Sequence, residues 1–203
     1  MMVIAVSSAG TLRADDNGSS ALVNPGPGSA VSPDPLAEVN NAIAQNPTDA
    51  ENFIIRGNIY CGQKMWGAAQ DSYEQALALA PQKLAIKMDL AELQFRQKQY
   101  DRARTDFALM ATDKELGDLA SYMVFLCDLF GNREDAASKE LAAFNATGDE
   151  PSYYFGNVAW DIVHHNVAGA RDYLNSAEHI YNPGKAKLYA ANLLELGYLP
   201  LKD

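Results

Sequence analysis

The chain has 203 residues, of which 48% are apolar, and a formal net charge of −10. This length suffices for one domain or one run of stacked repeats with a sizeable buried core. The acidic balance argues against a nucleic-acid partner, because binding a phosphate backbone requires clustered Lys and Arg. Every apolar run falls short of the ~20 residues that span a bilayer, so we expect no integral membrane segment. The two Cys leave the redox compartment open.

Residues 1–34 differ in composition from the rest of the chain. Residues 1–14 are apolar and then small, as at the end of a secretory leader that is cleaved after Ala9 or Ala14. Their apolar run is short and lacks a preceding basic residue, so a disordered N-terminus is the alternative. Residues 15–34 are rich in Gly, Ser, Pro, Asn and Asp, which predicts a flexible linker. A leader followed by such a tether is common in exported proteins. We therefore predict a periplasmic or cell-envelope location, with the cytoplasm as the alternative.

The first predicted helix covers residues 35–45. Asp34 is its expected N-cap, and Pro35 takes the first helical position, where its missing N–H costs nothing. Asn46-Pro47 ends the helix. Its apolar residues recur at helical spacing, at Leu36, Val39 and Ile43.

Residues 50–81 read as two amphipathic helices joined by a tight turn. Gly57 lies in the middle of the first, where glycine costs about 1 kcal/mol relative to alanine, so we infer that two helix backbones approach closely there. The segment resembles one tetratricopeptide repeat, whose pattern is W-x2-L-G-x2-Y, then A-x3-F, then P. Phe, Arg and Tyr replace the Trp, Leu and Phe of that pattern. The positions that carry the resemblance are Phe53, Arg56, Gly57, Tyr60, Ala69, Tyr73 and Pro81.

The pattern recurs along the chain. Ala69 is followed by Ala103 and Ala137 at intervals of 34 residues and by Ala170 after 33. The resemblance implies an all-α superhelix of stacked antiparallel helix pairs over residues 35–203. Its parts would be a half repeat, four full repeats and a C-terminal capping helix, at residues 35–47, 50–83, 84–117, 118–151, 152–183 and 185–197. Beyond the first repeat, the predicted helices are 83–97, 100–112, 115–130, 133–146, 152–165, 167–181 and 185–197. Phe125 stands where a small residue is expected, which leaves the register of helix 115–130 open.

In this family the first helix of each repeat lines a concave groove. One stripe of that helix packs on its partner helix, and the neighbouring stripe faces a ligand. Counted from the repeat starts, that stripe is mostly apolar and aromatic, which suits contact with an extended or helical peptide. The alternative is that these side chains belong to the core. The predicted groove residues are Ile54, Asn58, Cys61, Met88, Glu92, Phe95, Tyr122, Leu126, Leu129, Tyr153, Gly156, Trp160 and His164.

One known kind of groove is excluded. Some members of the family clamp a C-terminal carboxylate with Lys and Asn at fixed positions. Asn58 fits that arrangement, but Ile54 stands where the Lys belongs, and Met88 and Asp89 take the equivalent places in the second repeat. Without cations nothing would stabilise a buried carboxylate.

Neither catalysis nor metal binding is expected. His164 and His165 point about 100° apart on a helix, so they cannot bind one ion from the same face. His179 has no carboxylate or Cys at metal-ligand spacing. The chain also lacks a G-x-S-x-G motif and a phosphate-binding glycine loop. We predict a protein without enzymatic activity, metal or cofactor.

Two functions remain from the sequence. The first is an interaction scaffold that binds a protein or peptide partner in the groove. The second is a cytoplasmic chaperone for type III secretion substrates, a class similar in acidity and repeat number but without a leader or tether. A third possibility is self-assembly through the ends of the repeat array.

Overall fold

The computed structural model describes residues 34–144 and 150–201. The predictions for residues 1–14 and for linker residues 15–33 lie outside this range. The described residues form ten α-helices and no strand. The helices are α1 Pro35–Gln45, α2 Ala50–Gly62, α3 Trp66–Leu79, α4 Leu84–Arg96, α5 Tyr100–Ala108, α6 Gly117–Phe130, α7 Glu134–Ala143, α8 Ser152–Val163, α9 Val167–Ile180 and α10 Pro183–Glu195.

The helices pack as antiparallel pairs, each pair on the next. The pairs are α2 with α3, α4 with α5, α6 with α7 and α8 with α9, while α1 packs on α2 and α10 on both α8 and α9. This is the predicted all-α superhelix with a C-terminal capping helix. The alanines that defined the period are fully buried, as expected for positions of close helix contact: Ala69, Ala103, Ala137 and Ala170.

Side chains cap several helix starts. The carboxylate of Asp34 accepts a hydrogen bond from the Leu36 backbone N–H at 3.1 Å, as predicted, and that of Asp49 accepts one from Glu51 at 3.0 Å. Each satisfies a backbone donor that has no partner within its helix. At α10, the Asn182 side chain accepts from the backbone N–H of Lys185 at 2.9 Å.

The turn inside every pair has the same backbone conformation. One residue in each turn adopts a left-handed φ: 58° at Lys64, 60° at Lys98, 59° at Asn132 and 60° at His165. These residues are spaced by 34, 34 and 33 positions, so the turn follows the sequence period. A residue with a Cβ is strained in this region, Asn least. The packing of the helix pair therefore imposes the conformation.

Small and large side chains complement each other across the pairs. A Cβ added to Gly57 would lie 2.5 Å from the Tyr73 ring, so only glycine fits there. Phe125 is nevertheless accommodated in the third pair. Its buried ring packs edge-on against the Phe144 ring at 5.8 Å. In this pair the position of Tyr73 is taken by Leu141 of α7, which is smaller than Tyr73.

Several helix boundaries differ from the prediction by two or more residues, and the largest difference is at the end of α5. Helix α5 ends at Ala108 rather than 112, and α6 begins at Gly117 rather than 115. Between them the carboxylate of Asp113 accepts hydrogen bonds from the backbone N–H groups of Glu115 and Leu116, both at 2.9 Å. Side-chain to backbone bonds of this kind favour a turn over a continued helix.

Candidate functional site

The first helices of the four pairs are those predicted to line the groove, and α10 packs on two of them, α6 and α8. We call the part formed by α6 and α8, against which α10 lies, the filled half. We call the part formed by α2 and α4 the open half. The two halves share one architecture and differ in what covers them.

Tyr189 is the centre of the contact between α10 and the filled half. Its ring lies 5.3 Å from the Tyr122 ring and 5.8 Å from the Phe155 ring. Its hydroxyl donates a hydrogen bond to the carboxylate of Asp118, at the start of α6. The Tyr122 hydroxyl in turn donates to the backbone carbonyl of Tyr189 at 3.2 Å. One α10 side chain thus contacts both α6 and α8.

The contact continues along α6 and reaches α4. The Asn192 amide nitrogen lies 3.2 Å from the sulfur of Met123. The Glu195 carboxylate lies 3.1 Å from the Arg96 guanidinium, which also lies 3.6 Å from Glu92. Just beyond α10, the Tyr198 ring stacks on Phe130 at the end of α6, at 5.5 Å. The sequence predicted the cap on the last repeat but not this extension into the groove.

The predicted groove residues of the first three repeats are largely buried. Asn58 and Glu92 keep partial exposure, and the others have little or none. This corrects the expectation that Tyr122 and Leu126 face an open groove, because no side-chain surface is left for a ligand while α10 is in place. The buried predicted residues are Ile54, Cys61, Met88, Phe95, Tyr122, Leu126 and Leu129.

The fourth-repeat residues lie on other sides of α8. The Tyr153 ring packs against Tyr173 of α9 at 6.0 Å. The Trp160 ring stacks on His164 at 4.2 Å, and His164 is hydrogen-bonded to Glu134 of α7 at 2.9 Å. This hydrogen bond raises the pKa of His164. These residues therefore do not extend the groove stripe.

Phe155 is the groove residue that the sequence prediction missed. The first-repeat stripe precedes Ala69 by 15, 11 and 8 residues. The same offsets counted from Ala170 give Phe155, Ala159 and Ile162. Because the last of the three intervals, from Ala137 to Ala170, is 33 rather than 34 residues, counting from the repeat start shifted the predicted stripe around the helix.

The open half contains a cavity of about 470 Å³. Its walls come from α2, α4 and the end of α10, including Cys61, Gly62, Phe95, Arg96, Asn192 and Glu195. Ile55 is 43% exposed and precedes Gly62 by two helical turns, so it lies on the same side of α2. This half can therefore accept an apolar side chain beside charged groups.

Two carboxyl groups on α4, in the open half, have raised pKa values. Burial and the neighbouring Glu92 raise the pKa of Asp89 to about 7. Burial also raises the pKa of Glu92, and the nearby Glu195 adds to the effect while Arg96 opposes it. Asp89, Glu92 and Arg96 follow one another at helical spacing on α4. At neutral pH the Asp89 carboxyl is therefore only partly ionised.

A larger cavity, of about 860 Å³, lies outside the groove beside the start of α6. Its polar groups already bond to one another: Asp118 accepts from Ser152 and Tyr189, and Arg104 pairs with Glu140. Its lining includes Phe144 and Glu150, which flank residues that the structure does not describe. For both reasons we take the groove, and not this cavity, as the candidate site.

Within residues 34–144 and 150–201, no group of three or more His, Cys, Asp and Glu could hold a metal ion. No helix in this part of the chain is both long and apolar enough to cross a membrane.

Comparisons with known proteins agree with the repeat geometry. The tetratricopeptide repeat family model matches residues 62–112, which contain the second helix of one pair and both helices of the next. The matched segment is a tetratricopeptide repeat. Among solved structures, the chain is similar to the crystal structure of PilW, described as a widely conserved type IV pilus biogenesis factor. That match has 19% identity, covers 80% of this chain and 77% of the other, and has a TM-score of 0.54.

A second solved structure is YrrB, described as a TPR protein with an unusual peptide-binding site. It is 19% identical, with 78% of this chain and 82% of the other covered and a TM-score of 0.48. No curated protein sequence matches the chain. At 19% identity, the likeness to PilW shows the fold alone.

Proposed function

We propose that this tetratricopeptide-repeat protein is a non-catalytic interaction scaffold that binds an apolar segment of a partner protein in the open half of its groove. The observation that carries the proposal is the position of α10. A helix of this chain already packs on the inner side of α6 and α8 through an aromatic anchor, Tyr189. The row of first helices is therefore suited to hold a peptide segment in the helix-in-groove manner.

The lining of the open half supports this choice of site. Ile55 offers an exposed apolar side chain. The cavity of about 470 Å³, two helical turns further along α2, has room for one large anchor. A Lys or Arg beside that anchor would favour the ionised forms of Asp89 and Glu92, whose pKa values burial raises. We therefore propose a partner segment with an apolar anchor and an adjacent cation.

Self-association is a second candidate function. Four large apolar side chains on the last two helices are exposed: Val167, Ile180, Leu188 and Leu194. Exposed apolar surface at the end of a repeat array can pair with another copy. Analytical ultracentrifugation at increasing protein concentration measures this directly, and a monomer throughout removes it.

Two predictions from the sequence stay as they were. The cell-envelope location depends on residues 1–14, and N-terminal sequencing of natively expressed protein tests it. The role of a type III secretion chaperone has no further support in the groove.

The test of the proposed function is partner capture from native extract with a matched pair of variants. Ile55→Glu places a charge in the open half. Leu109→Glu makes the same change at a side chain that is 79% exposed and lies near α3 and α4 outside the groove. We expect Ile55→Glu to weaken retention of the partner at least about tenfold, and Leu109→Glu to leave it unchanged. Equal retention by both variants, with normal melting, would rule out the open half.

A further inference from the structure

We propose that α10 is a displaceable occupant of the filled half, and that the partner replaces it with an amphipathic helix of the same chemistry. This inference depends on the proposed function, since it extends the partner's segment from the open half into the filled half. The partner helix would present an aromatic residue followed by apolar residues four and seven positions later. These are the spacings of Tyr189, Leu193 and Leu196. A carboxylate six positions after the aromatic residue would take the place of Glu195 beside Arg96.

The contacts of α10 are those of a bound helical ligand. Tyr189 inserts between the Tyr122 and Phe155 rings, and Leu193 is fully buried one turn later. Glu195 forms an ion pair with Arg96, on a helix that is distant in sequence. Anchors at these spacings along one face define helix-in-groove recognition.

The fit of α10 is incomplete. Asn192 is only 4% exposed, and its side-chain oxygen has no hydrogen-bond partner. Its amide nitrogen meets only the Met123 sulfur, which is a weak acceptor. A buried polar atom without a partner weakens the docked state. A helix with an apolar residue at this position would bind the same surface better.

The outer side of α10 is also uncovered. Leu188 and Leu194 are 45% and 44% exposed, so burial holds the helix on one side only. Removing α10 would break its contacts with α4, α6, α8 and α9, whereas the contacts that pair α2 to α9 with one another do not involve α10.

The connection to α9 allows this movement. Helix α9 ends at Ile180 and α10 begins at Pro183. The Tyr181 hydroxyl donates to the Glu150 backbone carbonyl at 3.1 Å and holds the end of the fourth pair in place. Rotation about Asn182 would release α10 without disturbing that contact. The tether keeps the local concentration of α10 high, so only a helix with a better fit displaces it.

A labelled peptide with the sequence of residues 183–201 tests the inference. Its binding to the full chain is measured by fluorescence anisotropy, with the protein unchanged or carrying one α10 substitution. Tyr189→Ala weakens the chain's own docked helix, so the peptide should bind this variant at least about tenfold more tightly than the unchanged chain. Glu195→Lys should give a smaller gain. Asn192→Leu improves docking and should weaken peptide binding several-fold. Leu188→Ala, on the outer side, is the matched control and should change binding less than about twofold.

Equal peptide binding by all variants, or binding by none, would overturn the inference. If Tyr189→Ala is unfolded by circular dichroism, Glu195→Lys decides, because the Glu195 side chain is 49% exposed and tolerates substitution. The peptide experiment tests binding to the filled half, whereas partner capture with Ile55→Glu tests binding to the open half. Loss of capture with Ile55→Glu, together with no peptide binding, would leave the proposed function standing and remove only the role of α10.

Discussion

The two halves of the groove show how one architecture yields a core in one place and a surface in another. Helix α6 is largely apolar and is buried along nearly its whole length, Asp128 included, because α10 covers the face that its neighbours leave open. Helix α2 has the same position in its pair, yet Ile55 is exposed and Asn58 is half-buried. An apolar groove stripe therefore indicates that something covers it, and the cover can belong to the same chain.

The largest difference between the halves should appear when one charge is introduced into each. Leu126→Glu buries a carboxylate in the filled half, where Leu126 is fully buried, and should destabilise the protein by more than about 4 kcal/mol or prevent folding. Ile55→Glu should change the free energy of unfolding by less than about 1 kcal/mol. Urea denaturation of both variants gives the comparison. Similar losses would mean that the open half is as closed as the filled one.

Overpacking tests whether the helix pairs themselves are alike in both halves. Ala69 in the open half and Ala137 in the filled half are both fully buried, so Ala69→Leu and Ala137→Leu should each cost about 1–3 kcal/mol. Ala78→Leu, at an exposed position on α3, should change stability by less than about 0.5 kcal/mol. Thermal melting measures all three. Unequal losses at Ala69 and Ala137 would show that the halves differ in pair packing as well as in their cover.

The pH dependence of stability tests the open half further, through the carboxyl group of Asp89. In the folded chain the pKa of Asp89 is about 7, against about 4 in an unfolded chain. Between these values the folded state binds a proton that the unfolded state lacks, so this group makes stability fall as pH rises from about 4 to 7. Asp89→Asn should remove that slope. Because Asp89 is partly exposed, we expect a gain of about 1–2 kcal/mol at pH 8 and almost none at pH 4.5.

Denaturation of both proteins at the two pH values checks this prediction. An equal gain at pH 8 and pH 4.5 would show that Asp89 ionises normally in the folded chain. The open half would then be as well solvated as an ordinary protein surface.

Much of the fold could be predicted from the sequence because its determinants are local or periodic. The Asp34 cap and Pro35 set the start of α1, and the alanine period located the close contacts from Ala69 to Ala170. The end of α5 could not be placed in this way, since it depends on hydrogen bonds from the Asp113 side chain that compete with the helix.

The site was less predictable, for a different reason. The residues of α10 mark it as amphipathic, but which surface receives Tyr189 depends on the curvature of the whole stack. The stripe on α8 could have been found, because counting from Ala170 leads to Phe155. Tyr122 carries no local sign that distinguishes a ligand contact from a contact with α10.

The four left-handed turns form a host–guest series within a single protein. One backbone conformation, with φ between 58° and 60°, carries Lys twice, Asn once and His once. Replacing Lys64, Lys98 or His165 with glycine should stabilise the protein by about 1 kcal/mol, because it relieves the strain of the left-handed backbone. Replacing Asn132 with glycine should stabilise it least. Since the backbone is constant, differences among the three gains would measure how the side chain and its surroundings change the cost of the left-handed conformation. The chain thus supplies its own scale for that cost.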